Sequence, residues 1–207
     1  MKLQVRTIAE ERLCRFAALL LLGGGIASAQ ISARPLTGQE ALTAHARIKP
    51  SLVAGITGPL LFQDKQGFEV SGAGFISFTM LPVRFYSRTD WGGTVYRCGV
   101  VFLPAQQSPV FLRTVGYDWT EVEQCEGIKG VGFVDGGGKM PPRIVLLWDA
   151  ASPNASVNEP MVLDWNAGAN RYVGNATISQ RLENDLKTFT IAAIKQQLKL
   201  YAVEPAK

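Results

Sequence analysis

The chain of 207 residues holds one histidine, three cysteines, four tryptophans and no run of lysine or arginine. Each scarcity removes a class of function. The lone His45 leaves almost no material for a zinc centre or a histidine-based triad, and its neighbours Ala44, Ala46 and Arg47 read as a solvated helix surface. The sequence contains no Gly-x-Ser-x-Gly elbow and no Gly-Lys-Ser/Thr phosphate loop. The formal charge of +4 is scattered along the chain, which argues against nucleic acid as a partner. The longest apolar stretch, Phe16 to Ile26, falls well short of the roughly 20 residues of a membrane-spanning helix. At 47% hydrophobic and 18% charged, the chain is too apolar to be disordered.

What is present begins with a leader. Lys2, Arg6, Arg12 and Arg15 precede the stretch FAALLLLGGGI, and Ala27-Ser28-Ala29 supplies the small residues of a cleavage site before Gln30. Glu10 and Glu11 lengthen the charged region beyond the usual pattern. The expectation is a signal peptide over residues 1–29 and one β-rich globular domain over 30–207. The protein is then exported, to the periplasm or the extracellular space, and retains no membrane span. Cleavage removes half of the formal charge, together with Cys14. Cys98 and Cys125 remain as an even pair in an oxidising compartment, where a disulfide forms and persists.

The body predicts a mainly β fold, all-β or α+β: an antiparallel, sandwich-like arrangement with a short N-terminal helix and a C-terminal amphipathic helix. Thr37 and Glu40 have capping-box spacing ahead of a helix over about 38–47. Asp64–Gly67 reads as a hairpin loop. Phe68, Val70, Ile76, Phe78 and Met80 alternate with polar residues and read as one face of a strand that Pro82 ends. Further strands are expected over 94–103, 110–117, 129–134, 143–149, 161–165 and 171–173. Leu182, Leu186, Phe189, Ile194, Leu198 and Tyr201 form one helical stripe that packs on a sheet.

Every tryptophan has an aspartate neighbour: Asp90-Trp91, Asp118-Trp119, Trp148-Asp149 and Asp164-Trp165, in a chain with only seven aspartates. The structural explanation is a recurring strand end, with the indole covering the core and the aspartate capping a turn. The functional explanation is a sugar platform, with rings stacking on pyranose faces and carboxylates holding hydroxyls. On that explanation Asp90, Trp91, Asp118, Trp119, Asp164 and Trp165 are the candidate binding residues.

The stretch from Val134 through Asp135-Gly136-Gly137-Gly138-Lys139 to Ile144 resembles an FG-GAP-type repeat. In that family a strand, an acidic loop and a second strand bind calcium. Only Asp135 stands among the expected carboxylates, and calcium takes six to eight oxygens, so the resemblance implies a strand–loop–strand shape and no metal site. No cofactor and no catalytic residue is assigned. Asn154 and Asn175 lie in glycosylation sequons. Three functions follow in order: an exported non-enzymatic binding module, such as an inhibitor or immunity-type protein that blocks a toxin or hydrolase; an envelope-polysaccharide binder using the Asp-Trp pairs; and a carboxylate-based hydrolase. The expected partner is another protein, with cell-envelope polysaccharide as the alternative.

Overall fold

The computed structural model describes residues 31–53, 56, 58–72, 75–89, 92–115, 124–135, 140–152 and 155–203. The expected leader therefore lies outside the described residues. Among the described residues ten strands build two antiparallel sheets. The first contains β1 (Ser32–Pro35), β2 (Leu61–Phe62), β3 (Phe68–Ser71), β4 (Phe78–Arg88), β5 (Thr94–Pro104) and β6 (Val110–Arg113), in the order β1-β3-β4-β5-β6 with β2 also on β4. The second contains β7 (Gln124–Val134), β8 (Arg143–Ser152), β9 (Ala155–Asn166) and β10 (Arg171–Gly174), in the order β10-β9-β8-β7. Helix α1 (Gly38–Ala46) lies on the first sheet; α2 (Ala176–Asp185) and α3 (Ile191–Val203) lie on the second. The expected mainly β, sandwich-like class is the one observed.

Three apolar layers follow from strand alternation. On β5, Cys98, Val100 and Phe102 face the second sheet, while Val101 and Leu103 face α1. Both faces are covered, so β5 reads as a nearly continuous apolar run. On β8, Ile144, Leu146 and Trp148 enter the inter-sheet core, and Val145 and Leu147 meet the C-terminal helices. The Cys98–Cys125 disulfide joins β5 to β7 with Cα atoms 5.8 Å apart, so it staples the two sheets. Its chain separation of 27 residues corresponds to roughly 3.5 kcal/mol of loop-closure entropy.

Helix α1 starts as expected. Thr37 and Glu40 make the reciprocal capping box, and Ala41 and Ala44 are buried. His45 differs from expectation. Its ring stacks on Phe62 at 3.9 Å and its Nε2 lies 2.7 Å from Asp64 Oδ1, because the turn at Asp64–Gln66 brings both partners beneath the helix.

Four features differ from the sequence pattern. The alternating run from Phe68 to Met80 is two strands of a hairpin. Val70 pairs with Phe78 and Phe68 with Met80, so these four share a sheet face across two strands, while Ile76, expected on the same face, lies in the connecting segment and is exposed. Asp64–Gly67 is not a hairpin loop, because β2 and β3 both run antiparallel to β4 along one side of it. Pro82 does not end β4. Its carbonyl accepts from the Gln63 amide, and a strand residue's nitrogen points to the same side as its carbonyl. The missing N–H thus falls where β4 changes partner from β3 to β2, at the least cost to the ladder. The C-terminal stripe is carried by two helices and by Leu186 and Phe189 in the link between them, with Thr190 Oγ1 accepting from the Ala193 amide to restart the second helix. All six stripe residues still pack together on the second sheet. Among the described residues no helix is long and apolar enough to cross a membrane.

Candidate functional site: an aromatic cleft between the sheets

Of the sequence candidates, Asp90, Trp91, Asp118 and Trp119 lie outside the described residues. Asp164 and Trp165 occupy consecutive positions on β9, and their side chains leave opposite faces of the sheet. Asp164 faces the helices. Arg143 donates to it through Nε at 2.5 Å and Nη2 at 3.0 Å, and the Asn175 amide donates at 2.7 Å. Half-burial disfavours the Asp164 charge, but the hydrogen bonds from Arg143 and Asn175 outweigh it and hold the carboxyl below its ordinary value. Asn175 also caps α2 by accepting from the Ile178 amide, so its sequon side chain is engaged twice.

Trp165 faces the other sheet and meets the Tyr172 ring edge-on at 5.3 Å. The pair Trp148-Asp149 repeats the division: Trp148 is fully buried between the sheets, while Asp149 bonds Lys129 at 2.9 Å. In both described pairs the tryptophan serves the core. Neither aspartate caps a turn, because each sits within a strand and finds a cation on the outer face.

Trp165 leads to a cleft that the sequence pattern does not reveal. At this end of the sandwich β4 begins, β5 ends, β8 begins and the β9–β10 hairpin turns. Phe78 and Phe102 from the first sheet meet Tyr172 from the second. Phe102 stacks on Tyr172 at 4.9 Å and Phe78 meets it edge-on at 5.5 Å. The Tyr172 hydroxyl donates to the Pro142 carbonyl at 2.8 Å, which ties β10 to the segment carrying Met140 and Pro141. Burial, with the nearby Asp164 charge, pushes the Tyr172 phenol far above its ordinary pKa, so it stays a neutral donor.

Above this aromatic floor lies a cleft of about 240 Å³, walled by Phe75, Ile76, Val110, Met140 and Trp165. Ile76 is 51% exposed and Met140 39%, so two large apolar side chains stand open at the mouth of one cleft. The polar groups of the rim are Gln107, Asn170 and Arg171. A mostly apolar concavity with a few polar groups at its edge is the usual form of a small-ligand site. The signal available in the sequence was weak: aromatics at strand ends beside turn residues, each also a normal core position.

A second hollow of about 270 Å³ lies beside α1, lined by Arg34, Glu40, Glu69 and Arg47 among others. Arg34, Glu40 and Glu69 satisfy one another, and Arg47 donates to the Pro104 carbonyl. Arg34 bonds both Glu40 and Glu69, and the Arg34 and Thr37 hydrogen bonds lower the Glu40 carboxyl to about 2. Among the described residues no three histidine, cysteine, aspartate or glutamate side chains group in a way that could hold a metal ion. Comparison of the chain with known protein families, with curated proteins and with solved structures finds no match.

Proposed function

From the geometry alone, we propose that the protein is an exported binding module that takes an apolar group into the cleft above Phe78, Phe102 and Tyr172. The observation that carries this reading is the pairing of a rigid aromatic floor with exposed Ile76 and Met140 at the mouth. The floor is preformed: its rings brace one another, and the Tyr172 hydroxyl is fixed to Pro142. A preformed site loses little conformational entropy on binding. The lining side chains supply contact area and edge hydrogen bonds, which suit recognition. Export is part of the proposal. The inter-sheet disulfide supports it, since such bonds persist in oxidising compartments.

The test uses the neutral fluorescent probe N-phenyl-1-naphthylamine. The mature protein is expected to bind it with micromolar affinity, and Ile76→Glu to weaken binding at least tenfold while melting at an unchanged temperature. Wild-type protein that leaves the probe dark, or Ile76→Glu protein that binds it normally, defeats the cleft as the site. Displacement of the probe by envelope oligosaccharides would instead favour the polysaccharide reading, with Trp165 as the stacking ring. Cell fractionation with intact-mass analysis tests export, with a mature chain beginning at Gln30 as the expected result.

A further inference from the structure

The cleft has a size and a charge at its lip, and together they define a ligand class. A cavity of about 150 Å³ accommodates benzene, six carbons. A cleft of about 240 Å³ therefore has room for about ten carbons on the same scale. At the rim, Arg171 opens β10 directly after the Asn166–Asn170 turn, is exposed, and has no ion-pair partner among the described residues. Elsewhere in the fold Arg34, Arg84, Arg143 and Arg181 are each paired with a carboxylate. Arg171 pairs with Asn166 and so leaves the face opposite Tyr172, but β10 is the edge strand, and an arginine stem is long enough to lie around that edge and bring its guanidinium to an anion at the mouth. Gln107 and Asn170 supply amide groups around the same mouth.

We infer that the cleft takes a medium-chain carboxylate, an apolar tail of about eight to ten carbons lying on the aromatic floor with its carboxylate held at the rim by Arg171. The inference rests on the cleft reading proposed above and adds the tail length and the head charge. A second protein is the poorer occupant. A stable protein interface covers about 800 Å² on each partner, and here the large exposed apolar side chains at the mouth are two, Ile76 and Met140, on either side of a concavity. The open guanidinium selects a carboxylate over a neutral head, because a charge-assisted, bidentate contact is stronger than a neutral one.

The experiment is calorimetric titration of the mature protein at pH 7 with hexanoate, octanoate, decanoate and hexadecanoate, and with 1-octanol as the uncharged counterpart. Affinity is expected to rise by roughly fourfold per methylene up to decanoate, the increment that corresponds to burying one CH₂, and then to level off. Octanoate is expected to bind about tenfold more tightly than 1-octanol. Arg171→Gln should erase that advantage and leave 1-octanol binding unchanged. If 1-octanol binds but octanoate binds no better, or Arg171→Gln does not separate them, the carboxylate inference is overturned while the apolar cleft stands. An affinity that keeps climbing to hexadecanoate overturns the size limit. If neither octanoate nor 1-octanol binds, the cleft reading falls and this inference with it.

Discussion

Asp164 and Trp165, adjacent in the chain, face opposite sides of one sheet, the carboxylate clasped by Arg143 at 2.5 Å and the indole set against Tyr172 at 5.3 Å. The pleat imposes this, since successive strand side chains alternate between faces. Trp148 and Asp149 are divided in the same way. Within a strand, adjacency in sequence therefore assigns the two members of each described pair to different tasks: the indole packs the core, and the carboxylate ties neighbouring strands on the outside.

The Asp164 cluster predicts a pH-dependent loss of stability. The folded carboxyl titrates below its ordinary value of about 3.9, so its contribution is complete above that value and is lost as pH falls through the folded pKa. Asp164→Asn is expected to cost about 1.5–3 kcal/mol at pH 7, the range for hydrogen bonds to a charged partner. Urea unfolding of both proteins should show the gap at pH 7 and its narrowing below about pH 4. A gap that stays constant down to pH 2 would contradict the ionic origin.

Trp148 has an indole N–H that is buried without a hydrogen-bond partner among the described residues. Its contribution is then packing alone. Trp148→Ala should cost about 3–5 kcal/mol, as expected for deleting a fully buried ring. Trp148→Phe leaves no partner unpaired and removes an unsatisfied donor, so it should recover well over half of that loss. Chemical denaturation of the three proteins decides the matter, and equal losses for the two substitutions would show that the N–H is satisfied after all.

Reduction of the Cys98–Cys125 bridge, or the double change Cys98→Ala with Cys125→Ala, should lower stability by about 3.5 kcal/mol. Intact-mass measurement before and after alkylation should find no free thiol in the native mature protein. Two alkylatable thiols would remove the staple between the sheets.

Gly99 lies where β5 passes under β6. A Cβ at this position would fall 2.3 Å from the Phe111 ring and 2.8 Å from the Leu112 carbonyl oxygen. The ring can turn aside, but the backbone oxygen belongs to a paired strand and cannot. Gly99→Ala is therefore expected to destabilise by about 1–3 kcal/mol, the usual cost of overpacking. A melting temperature equal to that of wild type would show that β6 gives way freely.

Much of the fold was legible because it depends on short-range physics. The capping box at Thr37 and Glu40 involves residues three apart, and it forms as its spacing requires. The strand expected over 94–103, the one expected over 110–117 but ending at Arg113, and the hairpin around Asn166–Asn170 follow from β-rich runs interrupted by turn residues. The divided run at 68–80 misled because a hairpin whose strands are in register preserves alternation on one sheet face. The pattern therefore continues across the turn as though the strand did. Pro82 misled because proline interrupts a strand only if its nitrogen faces a donor site in the ladder.

The sequence by itself determined the alternation that makes two sheets, the helix start at Thr37, the apolar stripe that covers the second sheet, and the cysteine pair that could close. These properties depend on residues close in the chain or on composition, and local backbone geometry reads them directly. Only the tertiary structure decided that Trp165 and Asp164 part company, that His45 stacks on Phe62, and that Phe78, Phe102 and Tyr172 meet at one end of the sandwich. The cleft is made by the ends of β4, β5, β6, β9 and β10, which come from two different sheets. Its residues carry no periodic mark of their own, because at a strand end the same aromatic side chain serves equally well as the last layer of a core or the first surface of a site.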